Sequence, residues 1–531
     1  MALVAGAALT EIRLRAVADL ARGRERLLAG DVDAARSAFA RARRWPGAAD
    51  QARVGLALTS ARAGRDAGSG LAPELLATLP AEALLLSALA AHQLDAAAAI
   101  ARLMRSSGDP LGSLYEAVAA FEAGDEPRAR EAAAASRVPL ASRGLGGRLG
   151  RALAARDAGA QTLFLDASGE LVATVDAEGL LQFVPGVADL APGLQERLVA
   201  LGGGPATRLA VDLELSRIAL FALGDARGSI VLVDARTGAV RAAVSDPLTL
   251  AREPAAAFTE RREPASIAKL LTAAAAYRAG LDPDAAIARM TCTGVERYGG
   301  QPLWCAFRGG QLAGLDDALA QSCNLAFANV GTRLGVSRVR DEYRRWGFDT
   351  GAGALLGSAG RVHSEPRTPR QLADLSIGLG LVDVTPLHAA LLAAVIANDG
   401  RLPEPRLVIG PSGLLGLSRT SDEPGISREV LEPVVARRLR RAMVAVVRSG
   451  SAAGLAPQAF EVAMKTGTAA ERGQGYHVNY IGMGPLPAAA LAFCVRITHE
   501  PSSPAVTTAA RTVTRRLLAA LAQRRPGPVT P

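Results

Sequence analysis

The 531 residues of the chain include 60 lysines and arginines, and only two of these are lysines. Both stand in short polar motifs: Lys269 closes an S-x-x-K motif that begins at Ser266, and Lys465 opens the motif K-T-G-T. Arginine can replace lysine wherever a solvated positive charge is enough, but a guanidinium does not release its proton at working pH. Lysine at only these two places therefore indicates chemistry in which an amine loses or shares a proton. A fold that uses both lysines must bring distant segments together.

The first motif joins a hydroxyl and an amine across one helical turn. Ser266 follows Pro264 and precedes an apolar run, which predicts a helix that begins near Ser266 and carries Lys269 on the same face. A serine becomes a strong nucleophile when a base takes its proton, and a helix N-terminus favours the anion that then forms. Lysine can be that base if burial or a neighbouring cation, here Lys465, lowers its pKa. The alternative is a surface serine and lysine on a helix, which the scarcity of lysine disfavours.

A second hydroxyl lies between the lysine motifs, in Ser322-Cys323-Asn324. Ser322 can relay a proton between Lys269, Ser266 and the amine that leaves a substrate. The amide of Asn324 can hold both a substrate carbonyl and a lysine ammonium. Alone, this motif carries little information, and its value comes from its place in the order S-x-x-K, S-x-N, K-T-G.

The third motif follows an apolar strand and suits the binding of a carboxylate. The positive charge of Lys465 lies beside the hydroxyls of Thr466 and Thr468, a combination that binds such an anion. Gly467 permits a substrate backbone to approach closely. The N–H of Thr468 is expected to face that of Ser266 and form an oxyanion hole. A hairpin turn without function is the alternative.

These ordered motifs resemble the transpeptidase domain of penicillin-binding proteins. The similarity includes an Ala-Gln-Ser-Cys-Asn segment that ends at Asn324, Thr-Pro-Leu from Thr385, Ile-Ala-Asn-Asp-Gly from Ile396, and residues 211–215. It covers about residues 204–523. The resemblance implies a D,D-transpeptidase that crosslinks peptidoglycan stem peptides ending in D-Ala-D-Ala and that β-lactams inhibit covalently.

The resemblance also implies a role for each motif residue. It makes Ser266 the nucleophile, Lys269 the general base and Ser322 the proton relay. The substrate-binding group would comprise Asn324, Lys465, Thr466, Gly467 and Thr468. No cofactor and no metal is expected, since the five histidines are scattered, with no second histidine or cysteine at ligand spacing.

Two other functions remain open. A D,D-carboxypeptidase or a class D-like β-lactamase would use the same acylation and then pass the acyl group to water. The long C-terminal domain and the Ser-Cys-Asn form of the second motif favour the transpeptidase. A non-catalytic scaffold that senses β-lactams or muropeptides is the second alternative, which the intact motifs disfavour.

The region before the motifs is predicted to be helical, over residues 11–157. Gly30-Asp31 and Gly124-Asp125 each stand between two helical stretches. The pattern resembles degenerate tetratricopeptide-type hairpins, with a plain helical bundle as the alternative. This region is predicted to be a docking surface for a glycosyltransferase or a cell-wall complex.

The rest of the domain plan comprises a pedestal-like β linker over residues 158–203, the transpeptidase domain over 204–523 and a disordered tail over 524–531. No segment resembles a glycosyltransferase, which is typical of the monofunctional class B type. Residues 1–10 contain an apolar run, Ala2 to Leu9, that is too short to span a membrane. We interpret residues 1–10 as the remnant of an anchor, with the first turns of a helix as the alternative. The protein is therefore expected at the extracytoplasmic, periplasmic face of the inner membrane.

The transpeptidase region is predicted to be an α+β domain with an antiparallel sheet packed between helices. A helix over 208–223 precedes a hairpin of 229–234 and 239–245. A helical insert, three strands (461–469, 478–483 and 489–497) and a closing helix over 507–523 follow.

Charge and cysteine content add two expectations. The net charge of +9 is an arginine excess spread along the chain, which indicates a solvated surface rather than a nucleic-acid site. Cys292 and Cys305 flank a Gly-rich loop, and their spacing predicts a local disulfide, with two free buried thiols as the alternative. Cys494, within an apolar strand, is expected to be a core residue.

Overall fold

A computed structural model describes residues 32–44, 94–140, 145–184, 206–306, 309–349, 359–411, 427–471 and 475–524, with a few single residues and pairs between 18 and 198. The predicted anchor remnant, Gly30-Asp31 and the tail after Arg524 lie outside the described residues. Within the described part of the chain, no helix is long and apolar enough to cross a membrane.

The secondary structure changes from helices to mixed helices and strands near residue 160. The helices are α1 Val32–Ala42, α2 Leu94–Ser106, α3 Gly112–Glu122, α4 Glu126–Ala134, α5 Leu145–Asp157, α6 Leu213–Leu223, α7 Pro247–Arg252, α8 Ala256–Thr259, α9 Lys269–Arg278, α10 Pro283–Ala288, α11 Leu315–Ala320, α12 Asn324–Leu334, α13 Val336–Arg345, α14 Pro369–Ser376, α15 Pro386–Ala397, α16 Pro433–Ser449 and α17 Ser503–Gln523. The strands are β1 Thr162–Leu165, β2 Leu171–Val175, β3 Leu181–Phe183, β4 Ala206–Leu209, β5 Gly228–Asp234, β6 Val240–Ser245, β7 Thr291–Cys292, β8 Val295–Tyr298, β9 Gln301–Trp304, β10 Gly310–Gln311, β11 Arg361–Val362, β12 Val382–Asp383, β13 Arg401–Pro403, β14 Val408–Pro411, β15 Ser427–Glu429, β16 Ala463–Glu471, β17 Gly475–Gly484 and β18 Leu491–Glu500.

The N-terminal region is helical, as the sequence predicts. Gly124 has a φ of +78° and ends α3, and Asp125 then caps α4 through a side-chain hydrogen bond from Arg128 N–H. A positive φ is easy for glycine and costly for most other residues, so the Gly-Asp pair acts as a stop and a start. Helices α2 to α5 bury two small clusters, built mostly from alanine, leucine and a few aromatic residues.

A first five-stranded sheet, in the order β14-β4-β1-β2-β3, follows these helices. It joins the predicted pedestal to two strands from the predicted transpeptidase segment. The sequence-based helix over 208–223 is therefore wrong at its start, because β4 occupies 206–209 and pairs parallel with β1. The helix begins at Leu213, where the side chain of Asp212 accepts a hydrogen bond from Leu215 N–H.

A second, antiparallel five-stranded sheet has the order β16-β17-β18-β5-β6. It confirms the predicted hairpin and the three later strands. Helices α6 and α17 pack on this sheet and on each other, and α15 packs on β5, β17 and β18. The closing helix begins at Ser503, earlier than predicted, because Ser502 caps it and Pro504 suits its first turn. One large hydrophobic core connects this sheet to its helices.

Candidate active site

Segments that are far apart in the sequence meet at the side chain of Lys269, which is fully buried. Its Nζ lies 2.8 Å from Ser266 Oγ, 2.8 Å from Asn324 Oδ1 and 3.2 Å from Ser322 Oγ. The main-chain carbonyl of Ser322 lies 2.7 Å from the same nitrogen. The first two motifs thus share one amine that is shielded from bulk water.

The hydrogen-bond partners determine where the lone pair of a neutral Lys269 points. Asn324 Nδ2 donates to the carbonyl of Trp304 at 2.9 Å, so Asn324 Oδ1 faces Lys269. That oxygen and the Ser322 carbonyl only accept hydrogen bonds, and they take up the two hydrogens of a neutral amine. The remaining lone pair can accept a hydroxyl proton, and Ser266 offers the shorter of the two hydroxyl contacts. Lys269 is therefore placed to take the proton of Ser266.

Lys465 reaches the same centre from β16 and is also fully buried. Its Nζ lies 2.9 Å from Ser322 Oγ and 2.7 Å from the carbonyl of Thr466. The Ser322 hydroxyl is therefore within hydrogen-bonding distance of both lysine amines. Lys269, Ser322 and Lys465 therefore form one continuous chain of hydrogen-bonding groups.

Both amines are in surroundings that favour the neutral form. Burial lowers the pKa of Lys269 to about 7, and Cys305 and Cys323 act in the opposite direction. Burial lowers the pKa of Lys465 well below its ordinary value, and the positive charge of Lys269 lowers it further. The sequence suggested two causes of a lowered lysine pKa, burial and a neighbouring cation. Burial is the larger cause at Lys269, and repulsion between the two lysines lowers the pKa of Lys465.

The backbone around the two serines is unusual. Ser266 lies in a 3-10 turn, Ala265–Ala268, that leads directly into α9. Ala265 and Ser322 have φ values of +51° and +53°, which are uncommon for residues other than glycine. The N–H of Ala265 donates to the carbonyl of Gly378 at 2.8 Å. Strained backbone of this kind is concentrated at functional sites, where the surrounding structure holds it in place.

Strand β16 runs directly against the turn that carries Ser266. A Cβ added at Gly467 would lie 2.6 Å from the carbonyl oxygen of Pro264 and 3.0 Å from the N of Ser266. Glycine is therefore required here for the strand to approach the segment that carries Ser266. The sequence interpretation gave Gly467 to a substrate contact, whereas the close approach in the structure is to the protein's own backbone.

The two threonines of the third motif have different surroundings. Thr466 is nearly buried, and its Oγ1 lies 2.6 Å from the Oγ of Ser451, in the turn after α16. The side chain of Thr468 is exposed at the open face of β16. Ser451 was not singled out from the sequence, because no motif marks it and only the fold brings it to Thr466.

A buried polar network that the sequence interpretation missed holds the chain before Ser266. Arg496 is fully buried and donates from Nε to Asn479 Oδ1 at 2.7 Å and from Nη1 to the Glu260 carbonyl at 2.8 Å. Asn479 Nδ2 donates to the Glu263 carbonyl at 3.3 Å, and His477 Nε2 lies 2.9 Å from the same oxygen. The signal in the sequence was the isolated Asn and Arg within otherwise apolar strands.

All three motifs fall inside a region that matches a known family. The profile of the penicillin binding protein transpeptidase domain matches residues 228–519, more than half of the chain. The chain belongs to this family. The helices α1 to α5 and the strands β1 to β4 lie before the matched region of the penicillin-binding domain.

Curated relatives include mycobacterial peptidoglycan D,D-transpeptidases. Peptidoglycan D,D-transpeptidase PbpA of Mycolicibacterium smegmatis is 31% identical over 304 residues, which are 49% of this chain and 60% of the relative. The PbpA of Mycobacterium tuberculosis is 29% identical over 328 residues, or 52% of this chain and 62% of the relative. The chain therefore spans about three fifths of the length of these relatives.

Solved penicillin-binding proteins share the fold. Penicillin-binding protein A from M. tuberculosis, as a ceftriaxone acyl-enzyme complex, has a TM-score of 0.55 and 22% identity, covering 68% of this chain and 98% of the other. Penicillin-binding protein 3 from M. tuberculosis, complexed with aztreonam, has a TM-score of 0.58 and 22% identity, covering 69% of this chain and 96% of the other. At this identity the similarity establishes the common fold.

The cysteines of this penicillin-binding domain differ from the sequence-based expectation. Neither Cys292 nor Cys305 forms a disulfide, so the predicted disulfide between them is wrong for this structure. Cys305 Sγ instead lies 3.7 Å from the Sγ of Cys323, the middle residue of the second motif. Spacing in the sequence could not show that a third thiol shares this volume. Cys494 is fully buried in β18, as expected of a core residue.

Proposed function

We propose that this protein is a peptidoglycan D,D-transpeptidase that works through an acyl-enzyme on Ser266. The observation that carries the proposal is the 2.8 Å contact between Ser266 Oγ and the buried Nζ of Lys269. The family to which the chain belongs supports the assignment, and the PbpA relatives are named for this activity.

The acylation step follows from the contacts of the two lysines. Ser266 Oγ attacks the carbonyl of the penultimate D-Ala, and its proton passes to the lone pair of Lys269. The C–N bond to the terminal D-Ala breaks, and the leaving amine receives a proton through the hydroxyl of Ser322. The acyl group is then held on Ser266 as an ester, and Lys269 is neutral again because the proton that it took from Ser266 has passed to the leaving amine.

Deacylation reverses the proton transfers with a different amine. The amino group of a second stem peptide attacks the ester carbonyl, and Lys269 accepts a proton from it through Ser322. The new peptide bond forms, the bond to Ser266 Oγ breaks and the serine regains its proton. The backbone N–H groups of Ser266 and Thr468 are the proposed oxyanion hole for both steps.

The substrate-binding roles of the remaining motif residues belong to the same proposal. Asn324 would contact the substrate amide with Nδ2 and exchange its bond to the Trp304 carbonyl for one to the peptide. Lys465, Thr466 and Thr468 would bind the terminal carboxylate, whose negative charge would favour the charged form of the Lys465 amine. Gly467 would hold the strand against Ser266.

The test is covalent labelling with a fluorescent penicillin, in the wild type and in Ser266→Ala. We expect a stable 1:1 adduct in the wild type and no adduct in the variant. Unchanged labelling of Ser266→Ala would overturn the assignment of the nucleophile. A wild-type adduct that is hydrolysed rapidly would instead favour the β-lactamase or carboxypeptidase alternative, and a wild type that is never acylated would favour the sensing scaffold.

For the N-terminal helices we propose a docking role, with repeat-like hairpins that recruit a glycosyltransferase or a cell-wall complex. Helices α2 to α4 line a cleft of about 500 Å³ that carries both signs of charge, including Arg102, Glu116 and Arg128. A charged cleft outside the catalytic domain suits recognition of a polar protein surface. With this role the protein would work at the extracytoplasmic, periplasmic side of the inner membrane.

A further inference from the structure

Three thiols from separate elements converge behind the second motif. Cys292 ends β7, Cys305 follows β9, and Cys323 is the residue that caps α12. Their sulfur atoms all lie within 4.8 Å of one another, and none of them forms a disulfide. Cys292 and Cys323 are buried, whereas Cys305 is partly exposed at the end of the hairpin formed by β8 and β9.

The spacing of the sulfurs suits coordination of one metal ion. A metal–sulfur bond of about 2.3 Å places three thiolates around one ion roughly 3.7–4.0 Å apart. The Sγ atoms of Cys305 and Cys323 are 3.7 Å apart, and the third sulfur is within 4.8 Å of both. Completing the triangle requires the sulfur separations to shorten by at most about 1 Å. The partly exposed Cys305 gives an ion a way in from solvent.

We propose that Cys292, Cys305 and Cys323 form a binding site for a thiophilic d10 metal ion, Zn²⁺ or Cu⁺. Soft thiolate ligands select these ions over Mg²⁺ and Ca²⁺. Binding converts three thiols into three metal-bound thiolates and releases three protons to solvent. No fourth His, Cys, Asp or Glu belongs to this group among the described residues, so Cu⁺ would be three-coordinate and Zn²⁺ would add a water molecule.

The site is connected to the second motif through covalent bonds and one hydrogen bond. Cys323 stands between Ser322 and Asn324, and the N–H of Asn324 donates to Cys305 Sγ at 3.2 Å. An ion held by Cys305 and Cys323 would therefore fix the segment that carries the proton relay. Through this segment the metal would stabilise the motif without touching the substrate.

The experiment measures metal binding to the full reduced chain. Zn²⁺ and Cu⁺ are titrated in separate arms against chromophoric chelators, and Cd²⁺ serves as a spectroscopic probe for thiolate-to-metal charge transfer. We expect one ion per chain and a charge-transfer band that shows thiolate ligation. The affinity should fall at least about 100-fold in Cys292→Ser, which exceeds the roughly 10- to 100-fold effect of changing a residue that does not itself bind the metal. Cys494→Ser, a buried thiol outside the group, is the matched control and should bind normally.

Penicillin labelling of Cys292→Ser checks that the variant is folded, because Cys292 lies outside the three catalytic motifs. Equal metal affinity in the wild type and Cys292→Ser would overturn the proposal. So would a wild type that gives no charge-transfer band with Cd²⁺, a result that does not depend on any variant. A disulfide among the three cysteines that mass mapping finds to persist under reducing conditions would overturn it as well. Metal binding and acylation are measured separately, so either can fail without the other.

Discussion

The catalytic centre and the N-terminal helices bury polar groups in opposite ways. In the centre, Lys269 and Lys465 are fully buried, and their amines contact hydroxyl, carbonyl and amide oxygens. In the helices, the buried carboxylate of Glu116 pairs with Arg105 and Arg128, whose side chains remain 45% and 42% exposed. The arginine ends of these ion pairs thus remain partly in water.

In the catalytic centre, burial changes the pKa of the polar groups. An amine surrounded by neutral oxygens loses the stabilisation that water gives its charged form, so its pKa falls into the range needed of a base. A carboxylate paired with partly solvated arginines serves structure or recognition instead. Function at the centre should therefore respond strongly to changes in the lysines, and hardly at all to removal of the helices.

The largest effect is expected from Lys269→Arg. A guanidinium keeps the charge but cannot accept the proton of Ser266, so acylation by penicillin should fall by about 10²–10⁴-fold, the usual contribution of a general base. Lys269→Ala should be equally damaging. Lys465→Arg is the matched comparison and should lose less, because carboxylate binding needs charge more than proton transfer. Stopped-flow acylation rates measure all three, and equal activity of the two arginine variants would show that the lysines do not differ in role.

A strong pH effect should come next. Because burial lowers the pKa of Lys269 to about 7, the base is neutral above this pH and protonated below it. The acylation rate should therefore be constant above about pH 8 and fall about tenfold for each unit below pH 7. A rate profile for penicillin between pH 5 and 9 checks this. A profile without an inflection near neutrality would mean that Lys269 is not the group that titrates.

A smaller loss is expected from Asn479→Ala. The change leaves Arg496 Nε and the Glu263 carbonyl without this partner, which loosens the chain before Ser266. We expect acylation to fall about tenfold, which corresponds to roughly 1.4 kcal/mol in the barrier. Asn479→Asp should fall less, because it still accepts from Arg496.

The matched control for Asn479→Ala is Asn398→Ala, which removes a hydrogen bond from Asn398 Nδ2 to the Arg401 carbonyl. Its acylation rate should match the wild type. If Asn479→Ala lowers only the melting temperature and leaves the acylation rate unchanged, Asn479 stabilises the fold without positioning Ser266.

The smallest effect should follow removal of the helices. A protein that begins near Thr162 should acylate at a rate within a few fold of the full chain, although Leu163 and Leu165 would lose their packing partners in the helical cluster. A decrease of about tenfold or more in a folded protein, roughly 1.4 kcal/mol, would mean that the helices shape the catalytic cleft. Recruitment to the cell wall is expected to be lost in the same protein.

Much of the centre could be predicted because lysine is so rare that its positions carried information. Ser266, Lys269, Ser322 and Lys465 meet as their motif order implied. Contacts such as those of Arg496 and Ser451 depend on strand register and on which turn lies beside which strand. A single sequence does not specify that register, because many pairings would bury the same apolar residues.

The errors have the same origin. The sequence pattern predicts the start of a helix where β4 lies, because the few residues of β4 lack a clear period and its partner β1 is distant in sequence. The disulfide was predicted from two cysteines close in sequence, whereas three-dimensional proximity adds Cys323 to them.

The burial of both lysines also affects how this protein reacts with amine-directed reagents. The chain has only two lysines and both have no exposed surface, so the folded protein offers no lysine side chain for coupling to a dye or a chip. A lysine-specific protease meets the same barrier and can cut only after the penicillin-binding domain opens. Cleavage of the whole chain into three fragments by such a protease would therefore measure that opening directly.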